Sequence, residues 1–390
     1  MGSNRAVAPD PESTELAGTL YLEDGTRFEG RGFGSPQSKA GEVVFTTGMA
    51  GYPETLTDPS FRGQILTFTY PLIGNYGVPA PDAVDAFGLP KFLEAAHVQV
   101  RGVIVRAHTR PSHWQSSRSL DRWLSEEGIP GIAGIDTRRL TLHLRAHGVL
   151  RGIIDVGPPG RRPSSAELAA RLREAPAYSD EPLVPEVSVA APVFYDAGEG
   201  PVVALLDCGV KASIVRAILS RGCSVLRLPY DREVPERWDG RPVSGLLIGN
   251  GPGDPAKLVA TIEELNRPTT RALPTLGICL GHQLLALSRG GSTFKLKFGH
   301  RGQNKTVCFP EGRAMIVSEN HGYAVDPASL ASTGLEPWAS NPDDGTLEGL
   351  RDRHGRVIAL QGHPEGHPGP QEAGFVFDRF VEMVRAEAAR

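Results

Sequence analysis

Cysteine is scarce in this sequence. Four stand among 390 residues: Cys208, Cys223, Cys279 and Cys308. No two form a CxxC pair and none sits at zinc-finger spacing from a histidine, which excludes a disulfide framework and a zinc module. So sparse a set of thiols fits a reducing compartment, the cytoplasm. Long apolar runs are also missing: no stretch of ~18 such residues is present, so no spanning helix is expected. Charge of one sign is missing too. The formal net charge is −4, which gives no basic surface for nucleic acid and none for an anionic membrane. Residues 1–17 carry Asp10, Glu12 and Glu15 and lack the apolar centre of a signal peptide. They read as a disordered leader.

Glycine and proline, in contrast, are abundant. With 46 and 33 copies they make up about a fifth of the chain, against a background near 12%. That implies many turns and tight backbone passages. At about 150 residues per domain the length suggests two to three domains, enough to bury two cores.

Three regions differ in texture. Residues 18–156 read as a mixed α+β domain. Leu20 to Phe28 forms a predicted hairpin turning at Asp24-Gly25. Val43 to Thr46, Gln64 to Tyr70 and Val100 to Arg106 are further predicted strands. Ser117 to Glu127 and Asp136 to His147 have helical spacing, the second with an Asp N-cap and Gly148 as its stop. Residues 157–200 are rich in proline and read as an interdomain connection with one short helix near Ala166 to Glu174. Residues 201–390 alternate apolar strands with helices. The strands are Val202 to Asp207, Val225 to Leu228, Gly245 to Ile248, Pro274 to Ile278 and Val357 to Gln361. Between them Lys211 to Arg221, Ala256 to Asn266 and Gly281 to Arg289 are helical. Such alternation predicts an α/β fold, a doubly wound, mostly parallel sheet covered on both faces. Ligands of these sheets bind outside the carboxyl ends of the strands.

The sharpest chemical signal is Gly277-Ile278-Cys279-Leu280-Gly281, between a predicted strand and a predicted helix. It has the form of a nucleophile elbow with cysteine in the serine place. The turn is sharp, and the flanking glycines let backbone pass where side chains would clash. Cys279 then sits at a helix N-terminus, where exposed N–H groups and the helix dipole favour thiolate. Most cysteines are inert, buried apolar residues, but this setting is too specific for that. His363-Pro364-Glu365 follows another apolar strand. His and Glu two apart lie on one side of an extended segment, so Glu365 can orient His363 while His363 takes the proton of Cys279. Gly249 to Pro255, after the strand Gly245 to Ile248, is no P-loop, since no Gly-Lys-Ser/Thr follows. It is either a plain turn or an oxyanion donor, with Leu280 N–H as the second. No metal-ligand cluster and no ATP site is visible in the sequence.

Taken in order, Asn250 to Pro255, Gly277 to Gln283 and His363-Pro364-Glu365 resemble a class I, triad-type glutamine amidotransferase domain, which implies a flavodoxin-like sheet. More closely, residues from about Gly18 to Met383 resemble the glutamine-hydrolysing small-subunit family of carbamoyl-phosphate synthetases. Gly41 to Met49, Gly51 to Ser60, Tyr70 to Tyr76 and Gly134 to Arg138 look like that family's N-terminal domain, which other class I amidotransferases lack. Lys297 to His300 and Asn320 to Tyr323 add to the match. The resemblance implies that Cys279 attacks the glutamine amide, His363 is base and then acid, and Glu365 orients it. It implies Gly251 and Leu280 at the oxyanion, and Ser60, Gly253, Gln283, Asn320, Gly322 and Tyr323 around glutamine. Gly249, Ser213 and Glu319 depart from the pattern, and no triad member does. No cofactor and no metal is then expected in this chain. ATP and Mg²⁺ would belong to a large ATP-grasp synthetase subunit, reached by ammonia through an internal channel. The competing readings are an amidotransferase feeding another synthase, a non-catalytic paralogue, and a cysteine peptidase or esterase.

Overall fold

A computed structural model describes residues 15–80 and 82–390. The expected leader falls largely outside these residues. Where it is described, it gives way to structure: a strand begins at Leu16, two residues earlier than the predicted domain start.

The N-terminal half is a closed seven-stranded barrel. Its strands run in the spatial order Leu16–Leu22, Arg27–Gly34, Pro130–Ala133, Gly102–Val105, Gln64–Phe68, Ser38–Thr46 and Leu150–Gly157, then back to the first. The predicted hairpin is present, with Gly25 at φ 88° in its turn. Alternate residues serve opposite faces, as strand geometry requires. Val43, Ile65, Ile104 and Ile154 enter one apolar cluster with Leu140 and Leu144. Their neighbours Val44, Leu66 and Val103 enter another with Trp123 and Phe33. Each such fully buried side chain contributes about 1.5–3 kcal/mol. Closure removes the exposed strand edges that invite aggregation.

The connecting region is more ordered than its proline content suggests. Its helix Ser165–Glu174 carries a full capping box from Ser164 and Glu167 and packs Leu168 and Leu172 against Tyr21 and Ile153 of the barrel. Farther on, Val193–Tyr195 joins the C-terminal sheet as an antiparallel edge strand.

Five parallel strands centre the C-terminal sheet: Ser224–Pro229, Val202–Asp207, Arg241–Ile248, Thr275–Ile278 and Val357–Leu360. Numbered along the chain this is the 2-1-3-4-5 order of flavodoxin-like sheets. Helices Ala212–Leu219 and Phe375–Ala388 cover one face through Ile214, Ile218, Phe377 and Phe380. Helices Val259–Asn266 and Leu280–Ser288 cover the other through Leu265, Leu284 and Leu285. The sheet then continues through four antiparallel strands. Two of them, Thr293–Cys308 and Ala314–Val325, form a long hairpin that strand-helix rhythm does not announce. That hairpin reaches the barrel: Lys295 Nζ lies 2.7 Å from Glu42, and Val149 N–H donates to Lys297 O at 2.9 Å. Among the described residues, no helix is long and apolar enough to cross a membrane.

Candidate active site

Cys279 stands between the strand Thr275–Ile278 and the helix Leu280–Ser288 with φ 55° and ψ −105°. Among the described non-glycine residues only Asp239 shares a positive φ. Such backbone costs on the order of 1–3 kcal/mol and persists where its surroundings force it. Here the forcing is steric. A Cβ on Gly281 would lie 2.1 Å from the Ile248 carbonyl oxygen, and one on Gly277 would lie 2.6 Å from Leu285 and 2.8 Å from Gly281. The helix can close on the strand only because both positions are glycine. The result holds the sulfur at a helix N-terminus, 3.7 Å from Asn320 O and 3.6 Å from Gln361 Nε2.

Behind the sulfur runs a buried polar chain. His363 Nδ1 lies 2.6 Å from Glu365 Oε1, and the same oxygen accepts from Lys211 Nζ at 2.7 Å. Side-chain exposure along the chain is 3% or less. A carboxylate can only accept, so Nδ1 carries a hydrogen and Nε2 is left to serve the thiol. His363 Nε2 has no hydrogen-bond partner among the described residues. Burial alone would lower the imidazolium pKa, but the Glu365 charge, with help from Cys279, outweighs it and raises His363 to about 10. Burial would likewise raise the Glu365 carboxyl; Lys211 and His363 hold it well below the usual carboxylate range. Lys211, despite burial, is raised above its ordinary value by Glu365, Glu94 and Asp58.

In front of the sulfur lies a pocket. Ser60, Gly251, Gly253, Cys279, Leu280, Gln283, Asn320, Gly322 and Tyr323 all border it. Of the eleven residues expected at the site, nine therefore meet in one cavity, and His363 and Glu365 stand behind the Cys279 sulfur. Gly251 is required by close approach: a Cβ there would sit 2.0 Å from the Cys208 carbonyl oxygen. The Gly253 N–H donates to the Tyr178 hydroxyl at 3.1 Å.

The barrel completes the site through Asp58 and Ser60. Asp58 caps a short 3-10 turn by accepting from Ser60 N–H. It also accepts from Asn320 Nδ2 at 3.1 Å and faces Asn250 Nδ2 at 3.4 Å. Asn250 Nδ2 donates to Ser60 Oγ at 2.9 Å. That leaves the Ser60 hydroxyl hydrogen free to donate. Sequence reasoning missed Lys211, Asp58, Asn250 and Gln361 as individual contributors. Their partners lie 78 to 262 residues away, and no local pattern carries such pairing. The departing residue Ser213 lands on the domain interface, where its N–H and hydroxyl both donate to Glu94 of the barrel.

Two family models together span most of the chain. Residues 20–154 match the family model described as carbamoyl-phosphate synthase small chain, CPSase domain. Residues 204–383 match glutamine amidotransferase class-I. The carbamoyl phosphate synthase small chain of Methanopyrus kandleri is 44% identical over 95% of this chain and 99% of its own length. That of Sulfolobus acidocaldarius is 40% identical over 97% and 100%, and that of Listeria innocua 44% identical over 94% and 97%. With its elbow cysteine, buried His363–Glu365 pair and paired domains, the chain belongs to the carbamoyl phosphate synthase small-chain family.

Proposed function

We propose that the chain is the glutaminase subunit of a carbamoyl-phosphate synthetase, with Cys279, His363 and Glu365 as its triad. The observation that carries this is the strained elbow, which puts Cys279 between the His363–Glu365–Lys211 chain and a pocket built by both domains. His363 Nε2 holds the proton of the Cys279 thiol as an imidazolium while the sulfur bonds to the side-chain amide carbon of L-glutamine. The carbonyl oxygen gains negative charge, met by the N–H groups of Gly251 and Leu280. His363 then returns the proton to nitrogen, the C–N bond breaks, and ammonia leaves a γ-glutamyl thioester. Water, deprotonated by the same imidazole, releases glutamate and restores the thiol. Ser60, Gly253, Gln283, Asn320, Gly322 and Tyr323 hold the amino acid.

Ammonia needs an acceptor activated elsewhere, since the chain offers no ATP motif. The partner is a large ATP-grasp subunit that uses ATP and Mg²⁺ and receives ammonia through an internal channel, in the cytoplasm. The test is glutamine hydrolysis by the purified chain alone and with candidate large subunits, ATP and bicarbonate. Coupled stimulation is expected. Cys279→Ser must abolish glutamine-dependent synthesis and spare ammonia-dependent synthesis by the complex. Full glutamine use by that variant refutes the assignment.

A further inference from the structure

The long hairpin and the strand Leu347–Asp352 enclose a second cluster, separate from Cys279, His363 and Glu365. His300 pairs across the hairpin with His321, and Gly302 with Glu319. Glu348 comes from the strand Leu347–Asp352, which Leu335–Ser340 separates from the hairpin in the sheet order. One ligand atom from each of His300, Glu319, His321 and Glu348 lies within 4.8 Å of all the others. Their exposures are 6%, 3%, 6% and 0%.

The hydrogen bonds around the cluster fix both imidazoles in one tautomer. His300 Nε2 lies 2.8 Å from a carboxylate oxygen of Asp344, an ionised group that only accepts. His321 Nδ1 lies 2.8 Å from the Tyr323 carbonyl oxygen, which also only accepts. Both rings therefore donate outward, and in the neutral form each turns a lone pair inward, His300 through Nδ1 and His321 through Nε2. Those two nitrogens face the same oxygen, Glu319 Oε2, at 3.2 and 3.3 Å. In that form three lone pairs meet at one point, which demands a cation or a proton between them. His300 Nδ1 is also 3.8 Å from Glu348. Glu319 Oε1, Glu348 Oε2 and His300 Nδ1 are all buried without a hydrogen-bond partner. Leaving one such group unsatisfied costs about 1–3 kcal/mol, and more when it is charged.

The geometry points to a structural divalent metal site in which His300 Nδ1, His321 Nε2, Glu319 and Glu348 hold one zinc-type ion. One cation satisfies every inward atom at once. Two imidazoles with two carboxylates favour zinc over calcium or magnesium, which prefer all-oxygen shells. Four protein ligands in a closed, buried setting suit a structural ion, not a catalytic one with an open position. Asp344 and the Tyr323 carbonyl supply the outer hydrogen bonds that orient metal-bound histidines. The ion would pin to the central sheet the strand whose residues Asn320, His321 and Gly322 border the pocket.

The test uses the full chain purified without chelator. Elemental analysis should give about one zinc per chain. Stripping with dipicolinate should lower the melting temperature by ~5 °C or more, and zinc should restore it. Cobalt substitution should give tetrahedral d–d bands without a thiolate charge-transfer band. Glu348→Gln separates the proposal from a cluster filled by protons. In a metal site it removes a ligand and weakens zinc binding. In a protonic cluster it removes a buried acid and raises the melting temperature. Asp344→Asn, outside the first ring of ligands, should cost about 10–100-fold in zinc affinity. The proposal is overturned if zinc-incubated protein retains no metal after dialysis. A thiolate-to-cobalt band, or a stabilised Glu348→Gln indifferent to chelator, overturns it as well.

Discussion

Glu365→Gln keeps the shape of the buried chain and removes its central charge. Glu365 Oε1 joins His363 at 2.6 Å and Lys211 at 2.7 Å, all but inaccessible to water. Removing one partner of a buried pair strands the other and costs about 3–5 kcal/mol. Glu94 and Asp58 also hold the Lys211 charge, so the lower end, about 3 kcal/mol, is expected here. The pH dependence carries the sharper test. His363 in the wild type is raised above its unfolded value to about 10. Its contribution is complete below pH 6.5 and is lost as pH rises from there through about 10. Glu365 is depressed, so its contribution is present above about pH 4.5 and lost in acid. In Glu365→Gln only burial acts strongly on His363, and its pKa falls below 6.5. The variant then loses stability as pH falls through that lowered value, so its deficit should be larger at pH 6 than at pH 10. Activity should fall by roughly 10²–10⁴ in kcat, the usual range for losing an oriented general base. Denaturant unfolding at several pH values and a pH–rate profile for glutamine hydrolysis would read both. A folded variant within about tenfold of wild-type kcat, with a pH-independent stability deficit, refutes the role given to Glu365.

Other expectations follow from single contacts. Gly281→Ala places a Cβ 2.1 Å from Ile248 O. It should cost about 1–3 kcal/mol or more as overpacking and lower the melting temperature together with activity. Asp58→Asn leaves one acceptor oxygen where Ser60, Asn250 and Asn320 converge on two. It should cost about 1–3 kcal/mol and raise KM more than it lowers kcat. Lys211→Met should destabilise by about 3–5 kcal/mol and raise the His363 pKa further, since Lys211 lowers it. An alkaline shift of the pH–rate profile checks the last of these.

Local signals in the sequence carried much of this. The strand-turn-helix at Gly277–Gly281 was readable because the turn demands glycine at fixed places. The parallel strands were readable because burial on both faces leaves continuous apolar runs, as in Val202–Asp207. Barrel closure was not readable. It depends on Leu150–Gly157 pairing with both Leu16–Leu22 and Ser38–Thr46, a choice among distant partners. The hairpin Thr293–Val325 was missed because its exposed first strand, with Phe294, Lys295 and Lys297, lacks a sustained apolar alternation. The inner cluster escaped for the same reason. Its four side chains come from three strands, and only Glu319 and His321 are close in sequence.

The domain interface is better understood as part of the site than as a hinge beside it. The barrel contributes Ser60 and Glu42 to the pocket wall. It contributes Asp58 to the amides of Asn250 and Asn320, and Glu94 to Ser213 and His367. Glu94 is buried and ionised, its carboxyl held low against burial chiefly by Lys211, with His367 next. The same Lys211 bonds the Glu365 carboxylate. Pulling the domains apart would therefore strand charges on both sides, Glu94 in the barrel and Lys211 beneath the triad. That penalty, several kcal/mol per uncompensated buried ion, ties the protonation state of His363 to the docking of the barrel.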